Sequence, residues 1–462
     1  MPTRRQFLGS ALAAAPLAAS AAAAATDKWN LLIITNDQHR ADCLGCYGNP
    51  VVRTPHTDRL ASQGVRFANH FVHAPQCVPS RASMHTGRYP HVHRVPSNAY
   101  VLPESEVTIA KVLNGQGYRT ACVGELPFAP RAYLGGFQQS LASNPDYDKF
   151  LASHGLKFPA AGGPFQASPV PWSDDVDETA FFADHARRFV RANRETPFFL
   201  HVNFRRPHHP FNPPAPFDKM YLGAQFPASH ARKGEMDNKP PQQKAAIESS
   251  VGFDLRTLTP EALDRVKAYY YGMITENDKY IGTILDELDH SGLADRTIVV
   301  FNADHGEMLG DHGLLFKGSY MYDSVVKVPL IIRAPGKLPA GQVMESLCEE
   351  VDLMPTLMGL LGVDVPVGVQ GQSLTGKTKA AVFSEFPTIK MARTKEWKLV
   401  HYNKARHGEL YHLTEDPHEL DNLYDDPKYA GAKSDMKGVL LDWLANSQDP
   451  KLAPVRDSSE PA

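Results

Sequence analysis

Short apolar runs that break off abruptly into polar residues punctuate the chain: "NLLIITNDQH" (30–39), "YRTACVGE" (118–125), "PFFLHVNFRRPHH" (197–209) and "TIVVFNADHGE" (297–307). Uninterrupted apolar runs of this length, bounded by turn residues, suit strands buried on both faces of a parallel sheet. Helical patterns lie between them. "TIAKVLNGQG" (108–117) closes on glycine, and the segment 262–292 repeats apolar residues at Val266, Tyr270, Met273, Ile274, Ile281, Ile284, Leu285 and Leu288, the spacing of an amphipathic helix. The alternation predicts a doubly wound α/β fold. In such a sheet a ligand gathers outside the carboxyl ends of the strands, and here those ends carry Asp37, Gln38, Glu125, His208, Asp304 and His305.

Elsewhere the pattern changes. Residues 205–260, rich in Pro, Gln and Lys, lack periodicity and read as an irregular loop region over the sheet edge. "EEVDLMPTLMGLLG" (349–362) is a helix pattern, "VPVGVQGQSLTGK" reads as a linker, and "AVFSEF", "KMARTKEWKLVHY" and "GELYHL" read as short antiparallel strands before a last helix near 434–446. The chain thus divides into a leader over 1–26, a large α/β unit over 27–365 and a small C-terminal α+β unit over 375–450, with no internal repeat.

A chain of 462 residues can bury a sizeable core. Its 48 Lys+Arg against 51 Asp+Glu give a net charge of -3, and outside the extreme amino terminus there is no basic run, which argues against a nucleic-acid surface and for a small or polymeric ligand. The leader "MPTRRQFLGSALAAAPLAASAAAAATDKW" carries Arg4 and Arg5 ahead of an alanine-rich stretch and an A-x-A cleavage pattern, the signature of twin-arginine export. Ser10, Pro16 and Ser20 interrupt that stretch, making it a poor membrane span. The expected location is periplasmic or secreted, with no membrane attachment once the leader is removed. Five cysteines (Cys43, Cys46, Cys77, Cys122 and Cys348) leave at least one unpaired. Cys43 and Cys46 form a C-x-x-C without a second cluster to complete a zinc site, so a disulfide or two reduced thiols are both open.

Cys77 opens "CVPSRASMHTG": Pro79 fits a first helical turn, Gly87 can end the helix, and Arg81 follows one turn on. An anion there would meet both the positive helix end and a guanidinium. A bare thiol so placed would have a lowered pKa, as in a cysteine hydrolase, but would need a partner base. The strand ends offer something else. Asp37 and the amide oxygen of Gln38 in "TNDQH", with Asp304 and His305 in "ADHGE", make an oxygen-dominated divalent site with one imidazole; each acidic residue alone is as readily a cap or turn former.

Taken together, "NLLIITNDQHRADCLGCYGNP", "APQCVPSRASMHTGRYPH", "PFFLHVNFRRPHHPFNPP", "ADHGEMLGDHGLLFKGSYMYDSVVKVPLIIRAPG" and "GELYHLTEDPHELDNL" resemble the formylglycine-dependent sulfatases, whose signature is C-x-P-S-R followed by T-G-R. The resemblance covers nearly the whole mature chain in order. It implies an alkaline-phosphatase-like α/β fold, a mixed doubly wound sheet with a small C-terminal sheet unit. It also implies oxidation of Cys77 to formylglycine by a formylglycine-generating enzyme, and hydrolysis of a sulfate ester, small or polysaccharide, through the aldehyde hydrate. By the same likeness Asp37, Gln38, Asp304, His305 and residue 77 would hold a calcium or other divalent ion. Arg81 would steady the hydrate, Lys317 would contact sulfate and His208 would protonate the leaving alcohol. Gln38 and His305 stand where many relatives have Asp and Asn, and His312 in "GDHG" reads either as bordering the site or as a turn residue.

One segment departs from the pattern. Where the family usually has G-K-x-H, this chain has Gly124, Glu125, Leu126 and Pro127, so a carboxylate replaces the expected lysine and the expected histidine is missing. A carboxylate near an anionic substrate is costly unless paired, protonated or turned away. Three functions follow as alternatives: a sulfuric ester hydrolase, a phosphonate monoester or phosphodiester hydrolase on the same machinery, and a silent binder of sulfated ligands.

Overall fold

In a computed structural model of the chain, residues 28–128, 133–142, 144–159, 164–376 and 378–449 are described; the leader over 1–26 lies outside them. One mixed sheet is built from β1 (Asn30–Asn36), β2 (Val65–Phe71), β3 (Arg119–Gly124), β4 (Gln139–Ala142), β5 (Phe198–Phe204), β6 (Thr297–Ala303), β7 (Lys327–Val328), β8 (Leu330–Arg333) and β9 (Gln342–Glu349). The order is β4-β3-β5-β1-β6-β8-β2-β7, with β9 paired to β2. From β4 to β6 the strands run parallel, and β8 is antiparallel to both β6 and β2.

The continuous apolar runs have a two-faced explanation. Leu31 and Ile33 of β1 pack with Met84, Ile109, Leu113, Leu353 and Leu357 on one face, while Leu32 and Ile34 pack with Phe182, Ala186, Ile281, Ile284 and Leu288 on the other. Helices therefore cover both sides, and a polar residue on either side of β1 would be stranded. Truncating any of these leucine, isoleucine, methionine or phenylalanine side chains to alanine costs about 2–5 kcal/mol. The long helix expected at 262–292 spans Pro260–His290, with Thr259 Oγ1 accepting from the Ala262 N–H at 3.2 Å. Because the parallel strands share one direction, the carboxyl ends of β1, β3, β5 and β6 open on one edge.

The C-terminal sheet is antiparallel, in the order β10 (Val382–Phe386), β11 (Ile389–Arg393), β12 (Trp397–Tyr402) and β13 (Gly408–His412). "KMARTKEWKLVHY" supplies two strands rather than one, turning where the Thr394 N–H bonds the Trp397 carbonyl at 2.8 Å. The helix Ala430–Asn446 covers one face through Met436, Leu440 and Trp443, and the other face buries Val382, Met391, Val400 and Tyr411 with Phe71 and Val326 of the large unit.

Two expectations need correction. The region 205–260 is not wholly irregular, since Pro241–Glu248 is helical with Pro241 in its first turn. The linker expected over 365–377 is no free linker in its described part, 365–376: the Gln370 and Gly371 N–H groups both bond the Gly87 carbonyl, at 2.8 and 3.2 Å, so it satisfies an acceptor left over at the end of the Cys77–Thr86 helix.

Candidate active site

Three segments distant in sequence converge at the sheet edge. Asp37 and Gln38 follow β1, Asp304 and His305 follow β6, and Cys77 begins the Cys77–Thr86 helix. One oxygen each of Asp37 and Asp304, a ring nitrogen of His305 and the Cys77 sulfur all lie within 4.8 Å of one another. His305 Nε2 is 3.3 Å from Cys77 Sγ, 3.4 Å from Asp37 Oδ1 and 3.7 Å from Asp304 Oδ1. Its Nδ1 lies 3.0 Å from the Gly306 carbonyl; that acceptor favours the proton on Nδ1 and leaves the Nε2 lone pair aimed at the cluster.

Two buried carboxylates on one imidazole and one thiol leave negative charge to be met. Arg81, 2 % exposed, donates to Asp304 Oδ2 through Nε at 2.9 Å and bonds Asp37 Oδ2 through Nη2. Burial alone would raise the Asp37 pKa, but His208, Arg81, His305 and Lys317 together hold it well below the usual range. For His305, burial and Lys317 push down, yet Asp304, Cys77 and the hydrogen bond to Asp37 carry it up to about 10. The cluster thus takes up a proton where it has no cation. Hard carboxylate oxygens, an imidazole lone pair and a third polar ligand at this spacing are a donor set that suits a divalent ion.

The helix end itself contributes less than the sequence suggests. The Val78 N–H is taken by Asn98 Oδ1 at 3.0 Å, and Pro79 has no N–H to offer. Positive charge therefore comes from side chains. Lys317 Nζ stands 3.4 Å from Cys77 Sγ and 3.0 Å from Gln38 Oε1. Gln38 in turn donates through Nε2 to Glu307, and that nitrogen lies 3.2 Å from His209 Nδ1. Glu307 and His209 were not singled out in the sequence; the one signal was their position beside Asp304 and His208.

His208 is held by its neighbours. Arg206, 1 % exposed, clamps Asp177 through Nε at 2.9 Å and Nη2 at 2.8 Å and bonds Asn212 Oδ1 at 2.7 Å, anchoring the "RPHH" segment. The His208 ring stacks on His209 with centroids 4.1 Å apart and stands 6.5 Å from the His305 ring. Burial and Lys317 depress its pKa well below the ordinary value, against an opposing pull from Asp37.

At the end of β3, Gly124 has φ +90, and a Cβ there would come 2.3 Å from the Asn203 carbonyl oxygen; only glycine turns the chain in that space. Glu125 follows, its N–H on the Asn203 carbonyl at 3.0 Å, and its charge acts on Arg81 and Glu178. His312 points elsewhere: it bonds Glu235 and stacks on Tyr322 with centroids 3.7 Å apart. Cys43, Cys46, Cys77, Cys122 and Cys348 are all free thiols, so the C-x-x-C pair is unbridged.

Comparison with known proteins agrees with this geometry. The family model described as Sulfatase matches residues 29–363, and that described as N-sulphoglucosamine sulphohydrolase, C-terminal, matches residues 310–446. The multifunctional alkaline phosphatase superfamily protein PehA of Trinickia caryophylli is 29 % identical over 93 % of this chain and 98 % of its own. An arylsulfatase of Clostridium perfringens is 28 % identical over 91 % of this chain and 95 % of its own. The crystal structure of a phosphonate monoester hydrolase of Agrobacterium radiobacter superposes with a TM-score of 0.86 at 29 % identity, covering 94 % of this chain and 98 % of that one. With the Sulfatase model spanning most of its length, the chain belongs to the sulfatase family.

Proposed function

We propose that the protein hydrolyses a sulfate ester at residue 77, with Cys77 oxidised to formylglycine and Asp37, Gln38, Asp304 and His305 holding a calcium or other divalent ion. The observation that carries this reading is the convergence of four metal-type donor atoms within 4.8 Å, one of them on Cys77, with Lys317 Nζ 3.4 Å from the same sulfur. When bound, the ion supplies positive charge beside the reacting group, and the aldehyde hydrate supplies a nucleophile that can regenerate itself. The chain's own residues do the rest. Arg81 holds both carboxylates in register, Lys317 meets the negative charge of the ester as its bond breaks, and His208 hands a proton to the departing alcohol. Asn98, bonded to Val78 and to Gln76 Oε1 at 3.2 Å, ties a loop bearing the exposed Tyr100 and Val101 against this helix end, an aromatic and aliphatic surface suited to a ring-bearing alcohol such as a sugar. Mass spectrometry of the peptide containing residue 77, with sulfate release measured on the same preparation, tests the reading: an unmodified thiol in active protein defeats it.

A second reading is favoured by one feature. Glu125 and Pro127 stand where lysine and histidine are expected, so the site has less positive charge to offer a doubly charged ester. Sulfate esters and phosphonate monoesters both carry a single charge, and a phosphonate monoester fits the same constellation. Matched sulfate and phosphonate esters of one alcohol separate the two, and a clear preference for phosphorus displaces the first. Export through the twin-arginine route belongs to the proposal as well: replacing Arg4 and Arg5 by lysine should retain the protein in the cytoplasm, and unchanged export would refute it.

A further inference from the structure

Three residues at the site hold left-handed backbone although none is glycine: Gln38 (φ 65), Leu309 (φ 48) and Phe316 (φ 66). Such backbone persists in an L residue only where the surroundings over-determine it. All three donate to the same carboxylate. The Leu309 and Phe316 N–H groups bond Glu307 Oε1 at 3.0 and 2.5 Å, and Gln38 Nε2 bonds Oε2. Glu307 is itself fixed at the backbone, its N–H on the Ser324 carbonyl at 3.1 Å and its carbonyl accepting from Arg40 Nη1 at 2.9 Å, and its side chain has no exposure to solvent.

We propose that Glu307 is a positioning residue which sets both members of the Gln38–Lys317 contact. A carboxamide has one accepting end and one donating end. Glu307 accepts on both oxygens, from the Leu309 and Phe316 N–H groups on Oε1 and from Gln38 on Oε2, and so it faces the Gln38 NH2 group. His209 Nδ1 at 3.2 Å is placed to take the second N–H, and the amide oxygen is left for Lys317 Nζ at 3.0 Å. The opposite orientation would set oxygen against carboxylate and NH2 against ammonium, two repulsions in a water-poor site. The second hold is on the chain, since the Phe316 bond fixes the residue immediately before Lys317. One buried carboxylate therefore aims the Gln38 oxygen and pins the strained turn that delivers the lysine. The inference rests on the proposed reading of Gln38 and Lys317 only in that these two groups serve the ion and the ester.

Glu307→Gln tests it. The new amide can keep its oxygen on the Leu309 and Phe316 N–H groups, but its NH2 then meets the NH2 of Gln38 and forces that side chain to flip. Calcium affinity by isothermal titration, repeated with manganese, should weaken by about tenfold or more, and KM for the anionic ester should rise. Adding Gln38→Glu to Glu307→Gln restores one acceptor facing one donor and returns an oxygen to Lys317. The double variant should bind more tightly than either single variant, a non-additivity that a merely structural role would not produce. Should Glu307→Gln fail to fold, the double variant is still expected to fold and bind. The inference is overturned if Glu307→Gln binds the ions and ester as the native protein does, or if the double variant is no better than the poorer single one. If the native protein binds neither ion, the ligand reading of Gln38 fails instead, and the change in KM alone decides the role of Glu307.

Discussion

Lys317 Nζ lies 3.4 Å from Cys77 Sγ although the two residues are 240 positions apart. The ammonium is aimed there by Gln38 Oε1 at 3.0 Å, so it stands already oriented beside the position proposed for the nucleophile, the preorganised arrangement that meets developing charge without reorganisation. Lys317→Met keeps the stem and removes the charge. It should lower kcat/KM for sulfate esters about 10²- to 10³-fold while leaving the affinity for calcium within a small factor, since Lys317 is not among the converging donors. Steady-state kinetics beside metal titration checks this; an unchanged kcat/KM would take Lys317 out of the reaction.

His305 predicts how ion binding responds to pH. In the ion-free chain its pKa is raised to about 10, against burial and Lys317, by Asp304, Cys77 and Asp37. The sign follows directly: below about pH 10 the imidazole carries a proton that an incoming cation must displace, so affinity should rise with pH across neutrality. Titration calorimetry in buffers of differing ionisation enthalpy should register close to one proton released per ion at pH 7. Affinity that stays flat between about pH 6 and 9 would mean that His305 does not ligate.

Much of this arrangement was legible in the chain, and the remainder was not for identifiable reasons. The four apolar runs became β1, β3, β5 and β6 because strands covered on both faces tolerate no alternation, and their polar ends became the site. Strand β2 was missed because "VRFANHF" mixes buried with half-buried positions, and β9 because only its last three residues are buried. "AVFSEF" did read as a strand, but the burial of its Glu385, which pairs with His91 and Lys390 from other segments, did not show. Glu307 escaped notice for the same reason: its meaning lies in donors from residues 38, 309 and 316, which no local pattern reveals.

A leaving-group series addresses His208. Burial and Lys317 lower its pKa well below the ordinary value, against Asp37 and the hydrogen bond to the His209 carbonyl, so the proton it is proposed to donate must be taken up when the anionic ester binds. For alkyl sulfates, kcat/KM should therefore fall as pH rises through neutrality. His208→Ala should cost about 10²- to 10⁴-fold with alkyl esters and far less with p-nitrophenyl sulfate, whose alcohol leaves without a proton. Equal losses on both substrates would remove the general-acid role.

Buried histidines set the acid limit of the fold. Burial lowers His39 to about 4 and His70, His73, His85 and His93 each to about 3, from an ordinary value of 6.5. The unfolded chain takes up protons below pH 6.5 that the native chain refuses until pH 3 or 4, so stability is fully present above 6.5 and is lost as pH falls through that window. Each histidine contributes up to about 1.4 kcal/mol per pH unit. Thermal melts should show the midpoint dropping steeply between about pH 6 and 4, and replacing His85 by Gln or Met should make that drop shallower. A midpoint insensitive to pH in this range would contradict it.

The end of β3 decides between turnover and mere binding. Glu125 adds negative charge close enough to act on Arg81, at the place where a lysine was expected, and Pro127 removes any proton donor there. Converting Glu125→Lys and Pro127→His replaces one negative charge with one positive charge and adds an imidazole. If the native protein turns over singly charged esters, as proposed, the double variant should gain on doubly charged phosphate monoesters relative to sulfate esters, because the added charge is worth more to a dianion. Activity on sulfate esters that is absent in the native protein and emerges only in the variant would identify the native chain as a binder. Comparing kcat/KM for matched sulfate and phosphate monoesters in both forms reads either outcome, provided residue 77 carries the same modification in each.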